Sequence, residues 1–299
     1  MSASATITQP LVLPRWRQQR RWAGTLLLLL PGVGYIALSM IAPLVQLAFG
    51  SVGLSGPGTV GRLSLDAYGS VIADPMMRDA FIFSLRIAIV TTVLSVAAAA
   101  ALTMLLMFDF PGRRAIMLLS KVPLVVPSLI AAFLVLTMIG PGGMLARLVA
   151  HGGFGWPQLV HDRAGLGIIL VIMWHQVPVT LLIVAAVVAS VPRSLVDAAR
   201  NLGADAPRVF WYIILPLAVP GISAAAALVF IDTFGAYAVP SLLGPAYPQA
   251  LPVAMTREFL ERSHWEVASA IGMIMAVTTV AVMVLYYRLL AGIDRALSP

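Results

Sequence analysis

Charged residues are spaced along this chain so as to leave six long apolar runs. They lie near Ala23 to Phe49, Ala80 to Met107, Ala115 to Ile139, Gly165 to Ser190, Leu217 to Ala238 and Val267 to Leu290, separated by segments rich in charge, proline and glycine. Each run offers the ~20 residues that cross a bilayer core as an α-helix. Backbone groups in lipid must be satisfied within the segment or in a closed barrel. These runs are too long and too continuous for barrel strands, so an all-α membrane protein of six transmembrane helices is expected. Pro31, Pro43, Pro123, Pro127, Pro178 and Pro220 fall inside the runs and are expected to kink helices rather than end them. The stretch Gly50 to Asp79 is rich in Gly and Ser and is expected to lack regular structure.

Composition agrees with a lipid environment. Of the 299 residues 60% are hydrophobic and 10% charged, against roughly 25% charged in a soluble domain. The absence of cysteine excludes disulfides and thiol chemistry. A net charge of +7 raises the question of nucleic acid, but in a membrane chain the distribution of the basic residues carries the information, and no nucleic-acid partner is expected. With the N-terminus inside, twelve Arg and Lys fall on the cytoplasmic side and six (Arg62, Arg78, Arg147, Arg163, Arg257, Arg262) on the outer side, which puts both termini in the cytoplasm. The basic RWRQQRRW ahead of TLLLLL has the pattern of a signal peptide, but the apolar run continues through Phe49, and an uncleaved first span is the better reading. Lys121 is the only lysine and follows LLS, so the chain has no G-x-x-x-x-G-K-[ST] phosphate loop. ATP would have to be bound by another chain.

Between the fourth and fifth runs lies DAARNLGADAPRVFWYIILP, Asp197 to Pro216, a polar insert on the cytoplasmic side. Pro192 stops the fourth span. Ser194 and Asp197 have the S-x-x-D spacing of a capping box, and Asp197 complements a helix dipole. A short helix is expected to reach Leu202, with Gly203 ending it in a left-handed conformation. Asp205 or Ala206 then caps a second helix that carries Pro207 in its first turn.

The spacing Asp197-Ala198-Ala199, three residues, Gly203, nine residues, Ile213, one residue, Leu215-Pro216 resembles the Glu-Ala-Ala-x3-Gly-x9-Ile-x-Leu-Pro signature of the membrane subunits of ABC importers, with Asp in place of Glu. The resemblance extends over roughly Asp79 to Leu290 and implies the type I ABC importer permease fold. It divides the chain into a cytoplasmic segment 1–22, a first span and periplasmic loop 23–78, a core 79–290 and a cytoplasmic tail 291–299. It further implies that the 192–216 loop is the coupling helix, docked on one of two cytoplasmic ATPase subunits that bind ATP and Mg, while this chain holds no cofactor or metal and catalyses nothing. Asp197 either pairs with a basic group on the ATPase or caps its own helix. The remaining implied partners are a second homologous permease, a heterodimer being favoured over a homodimer, a periplasmic binding protein and the bilayer of a bacterial inner membrane.

The segment Leu215 to Pro245 is most similar to the spermidine/putrescine permease group, in which an acidic residue commonly follows the glycine of this region. Here Ala236 follows Gly235. A polyamine-type solute is favoured, and related groups carry 2-aminoethylphosphonate, ferric iron or thiamine. Within the runs, Arg86 and Asp232 each stand about six residues from the outer end, ~9 Å down at 1.5 Å per residue, and His175 is deeper. Intramembrane charges face a bundle interior or a wet cavity. Three readings stay open: an Arg86–Asp232 ion pair that ties two spans, a pathway role in contact with solute, or snorkelling to the surface. Trp174, Phe234 and Tyr237 offer cation–π surfaces, although Tyr237 is read as an interfacial belt residue.

Two other classes find less support. An intramembrane enzyme needs catalytic residues, but there is no H-E-x-x-H helix, and His151, His161, His175 and His264 are not at ligand spacing on any helix. His151 and His161, near Asp162, fall in an outer loop, where a solvated role is the default. An ion-coupled transporter calls for inverted repeats or pairs of broken helices, and the sequence displays neither.

Overall fold

A computed structural model of the chain describes residues 15–56, 61–151 and 155–297. Residues 1–14 of the expected N-terminal segment and 298–299 of the expected tail lie outside them. All regular structure among the described residues is helical: α1 (Arg15–Ser51), α2 (Asp66–Ala73), α3 (Pro75–Leu106), α4 (Arg113–Leu119), α5 (Ser128–Ile139), α6 (Met144–His151), α7 (Leu166–Ser190), α8 (Arg193–Asn201), α9 (Ala206–Val209), α10 (Leu215–Phe234), α11 (Ala238–Leu243), α12 (Leu251–Leu260) and α13 (Trp265–Leu297). Among the described residues six helical stretches are long and apolar enough to cross a membrane: Leu28–Ser51, Pro75–Leu106, Ser128–Val149, Leu166–Ser190, Ala206–Phe234 and Trp265–Arg288.

The bundle is organised around α3, α7 and α10, which pack on one another, with α13 bridging α1, α2 and α12. Since lipid tails are as apolar as leucine, spans associate through close packing at small residues. Ala88 and Ala99 on α3, Ala218 and Ala225 on α10 and Ala270 on α13 have no exposed surface. Gly221 of α10 lies directly against Val187 of α7. One apolar cluster (Phe83, Ile87, Ile168, Ile172, Val239, Leu243) joins α3, α7 and α11; a second (Ala80, Phe230, Phe234, Leu251, Ile271) joins α3, α10, α12 and α13.

The third crossing departs from the sequence expectation. Pro123 falls in a 3-10 turn, Val122–Leu124, and Pro127 is the N-cap of α5 in extended conformation. Each proline lacks an N–H and pushes its predecessor out of the α region, and two of them four residues apart break the helix rather than kink it. The crossing therefore starts at Ser128. It is completed by α6 after a break at Gly140–Gly143, where Gly142 has φ +75° and Trp156 Nε1 donates to the freed carbonyl of Ile139 at 2.8 Å. Pro31, Pro43, Pro178 and Pro220 remain inside continuous helices, as expected.

The fifth crossing is broken as well. α10 ends at Phe234, and after Gly235–Tyr237 the chain resumes as α11, whose Leu243 carbonyl accepts the N–H of His161 just before α7. Two broken spans, not detected in the sequence, are thus present. The Gly50 to Asp79 stretch also holds more structure than expected: Ala67 and Val71 of α2 are buried in the second cluster, and Tyr68 donates its hydroxyl to Ser51 at 2.8 Å.

Candidate functional site

The 192–216 segment is built almost wholly by backbone capping. α8 begins after Pro192, and no side chain caps it. The expected Ser194–Asp197 box does not form, because Pro192 takes the cap position, starts the helix two residues early and leaves Ser194 inside the first turn. Asp197 has no hydrogen bond or ion pair among the described residues; it and Ala198 are exposed, and Ala199 is half-buried. At the other end Ala204 N–H donates to Ala199 O at 3.0 Å and Gly203 N–H to Arg200 O at 2.9 Å, the paired bonds of a Schellman cap, with Gly203 at φ +85°. Ala199 and Ala204 pack together on Val209, Phe210 and Ile214. Asp205 Oδ1 accepts the N–H of Arg208 at 3.0 Å, with Pro207 in the first turn of α9, as expected. α9 continues through a π-helical turn, Phe210–Ile214, into α10 without interruption. Ile213, Leu215 and Pro216 are half-buried, whereas Leu202, Trp211 and Tyr212 are exposed. The segment is thus a bracket with one side on the bundle and an open side that mixes Leu195, Ala198 and Leu202 with Asp197 and the cations Arg193, Arg200 and Arg208.

The intramembrane residues are not arranged as an ion pair. Arg86 Nη2 donates to the carbonyl of Arg163, in the loop before α7, at 2.6 Å, and its guanidinium lies 5.4 Å from the Phe83 ring. It reaches toward the end of the bundle opposite α8 and not toward Asp232. Asp232 instead accepts a hydrogen bond from Gln176 Nε2. Gln176 is ten residues into α7, ~15 Å along its axis, so Asp232 sits deeper than the sequence placed it. The reason is the break after Phe234: the outer part of the fifth crossing is α11, not a continuation of α10. No described cation lies within ion-pair distance of Asp232. His175, beside Gln176, keeps a buried Nδ1 without a partner. Asp232 belongs to a stripe of exposed α10 positions, Leu217, Pro220, Ala224, Leu228 and Asp232, continued by the C-cap Gly235, whose spacing of three and four residues defines one helix face.

Other polar contacts fall on the side opposite α8. Glu258 on α12, its side chain 4% exposed, accepts Arg262 Nη1 at 2.6 Å and contacts His264 Nδ1 at 2.9 Å. Tyr247 donates its hydroxyl to Asp79, and that bond raises the tyrosine pKa above its usual value. His161 Nδ1 contacts the Gly244 carbonyl at 2.7 Å, and Asp162 accepts the Leu166 N–H at 2.9 Å, so these two serve loop and helix start. Sequence reasoning missed Gln176, Glu258 and Tyr247. Gln176 and Tyr247 have partners 56 and 168 residues away, which no local spacing announces, whereas the i,i+4 spacing of Glu258 and Arg262 was a legible signal.

A family model described as "Binding-protein-dependent transport system inner membrane component" matches residues 92–298, well over half of the chain. The chain belongs to this family. The chain is 27% identical over 176 residues, 59% of its length and 62% of the relative's, to the spermidine/putrescine transport system permease protein PotB of Haemophilus influenzae. It is 28% identical over 194 residues, 62% of its length and 65% of the relative's, to the sn-glycerol-3-phosphate transport system permease protein UgpA of Brucella suis. It therefore spans less than two thirds of the length of these curated relatives. A solved bacterial alginate ABC transporter in complex with alginate pentasaccharide-bound periplasmic protein contains a chain of the same fold, with a TM-score of 0.78 at 16% identity over 91% of this chain and 95% of that one. As a member of this family the chain is an inner membrane component of a binding-protein-dependent transport system, and its apolar helices are those of a multi-pass membrane protein.

Proposed function

We propose that this permease subunit forms half of an ATP-driven translocation pathway and that the 192–216 bracket couples it to two cytoplasmic ATPases, which bind ATP and Mg. The observation that carries this reading is the bracket itself: α8 is fixed by the Gly203 bend and the Asp205 cap to a helix that runs unbroken into α10. A force applied to α8 is transmitted to a span instead of being absorbed by a flexible loop, as rigid-body alternating access requires. The open face with Asp197, Ala198 and Leu202 is the docking surface. Both termini are then cytoplasmic, in keeping with the basic-residue count.

The open stripe of α10 faces the pathway and a second, homologous permease, with a heterodimer favoured. A periplasmic binding protein delivers the solute. Asp232, held by one amide and no cation, is a ready acceptor for an ammonium group or other cationic centre, which favours a polyamine-type solute. 2-Aminoethylphosphonate, thiamine and ferric iron also present cationic centres and form the alternative set. The coupling reading is tested with Gly203→Val in the assembled complex. A β-branched residue at φ +85° opposes the bend, so the variant is expected to insert and assemble while ATP hydrolysis no longer drives uptake. Normal binding-protein-stimulated uptake would sink the reading.

A further inference from the structure

On the same side as α8, a cavity of about 300 Å³ opens between the end of α3, α4 and the last turns of α7. This is at the lower end of the ~300–1,000 Å³ range of small-molecule sites. Its walls are largely apolar, with Met107, Met117 and Leu182 among them, while Thr103, Arg113, Ser120 and Lys121 supply the polar groups. Arg113 gives Nη1 to Asp109 at 3.0 Å, but Asp109 is 95% exposed, and Arg113 Nε is buried with no partner. An unpaired buried donor on a cation is costly and is relieved by an anionic oxygen. From Met107 to Pro127 the only acid is Asp109, against Arg113, Arg114 and Lys121. The same segment exposes Leu118, Leu119, Val122 and Val125. Cations and exposed apolar side chains together on a short helix beside a span are the arrangement of an interfacial segment, and basic pockets between spans on the cytoplasmic side take anionic headgroups. No residue of α10 lines the cavity, so it is separate from the Asp232 stripe.

We propose that this cavity binds an anionic phospholipid of the cytoplasmic leaflet, its phosphate between Arg113 and Lys121 and its acyl chains along the apolar wall of α4 and α7. The leaflet assignment rests on the orientation proposed above. Val188 and Ala189 line the same cavity, and Pro192 opens the coupling segment three residues later, so an occupied site steadies the helix end from which α8 departs.

The test uses the assembled transporter in nanodiscs of phosphatidylcholine with graded phosphatidylglycerol, and native mass spectrometry counts the lipids retained on delipidation. Wild type is expected to keep phosphatidylglycerol in preference to phosphatidylcholine. Arg113→Gln with Lys121→Gln should lose that preference by roughly tenfold or more, and Arg113→Lys with Lys121→Arg should restore most of it. Arg200→Gln with Arg208→Gln, on the same side but outside the cavity, should leave it unchanged. Equal retention in the double glutamine variant overturns the site. So does displacement of the lipid by millimolar inorganic phosphate, which would mark a small-anion pocket, or cross-linking of Met117→Cys to the second permease, which would mark a subunit interface. Lipid retention does not depend on uptake, so failure of the coupling reading does not remove this readout. Labelling of Lys121 by an impermeant amine reagent from the periplasmic face would overturn the leaflet assignment.

Discussion

Gly221→Ala is a direct test of how α7 and α10 are held together. A Cβ added at Gly221 would stand 2.2 Å from Val187 Cγ2 and 3.1 Å from its Cβ and Cγ1. Carbon atoms in contact prefer ~3.5–4.0 Å, so the nearest pair is more than 1 Å too close. Valine in a helix is largely confined to one χ1 rotamer, and the methyl cannot swing away cheaply. The helices must then separate, and overpacking of this kind costs ~1–3 kcal/mol. Val187→Ala alone removes two half-buried methyl groups, for a loss of about 1 kcal/mol. Combining the two changes removes the clash, so the double variant should be close to Val187→Ala in stability, with a favourable coupling of about 1–2 kcal/mol. The measurement is the midpoint of thermal loss of the monodisperse peak in detergent, where Gly221→Ala should fall by several degrees. If the two losses simply add, the contact between these helices is not as described.

Three further outcomes follow from the geometry. Asp232→Asn keeps the hydrogen-bonding shape at Gln176 but removes the charge; uptake should fall with assembly retained, whereas loss of assembly would assign Asp232 to structure. Asp205→Ala removes the acceptor for the Arg208 N–H and should cost ~1 kcal/mol, read as earlier proteolytic nicking of the 192–216 segment, with Asp205→Asn nearly neutral. Tyr247 has its folded-state pKa raised by the hydrogen bond to Asp79, so the stability it contributes is complete below its unfolded value near 10 and is lost as pH rises through the folded value. Tyrosinate absorbance and thermal midpoints between pH 9 and 12 should show that loss in wild type and not in Tyr247→Phe.

The parts of the fold legible in the sequence are those set by local chemistry. Apolar run length defined four of the six crossings to within about five residues, and the Gly203 bend and Asp205 cap follow from residue types whose φ preferences and acceptor atoms act within a few bonds. The third crossing was misplaced because an apolar tally treats Pro123 and Pro127 as interruptions of one helix, when their joint effect ends it and leaves α4 outside the crossing. The Ser194–Asp197 box failed for a similar reason: Pro192 occupies the cap and shifts the frame by two residues. The Arg86–Asp232 pairing was argued from equal depth in unbroken helices, and the turn at Gly235–Tyr237 removed its premise. Gln176 as the partner of Asp232 is a tertiary fact, set by the approach of α7 to α10, with no trace in either local sequence.

The π-helical turn at Phe210–Ile214 has a consequence for angular phase. A helix that closes i to i+5 carries one residue more than an α-turn, and each α-helical residue advances the chain by ~100° about the axis. Deleting one residue between Phe210 and Ile214 would leave every cap, bend and charge of the bracket in place. The turn would then close i to i+4 and keep α8 at nearly the same angle on α10. A deletion in the flanking α-helical turns would instead rotate α8 by ~100° and turn the proposed docking surface away. Orientation of the bracket is thus encoded by the count of residues in those flanking turns as much as by their identity.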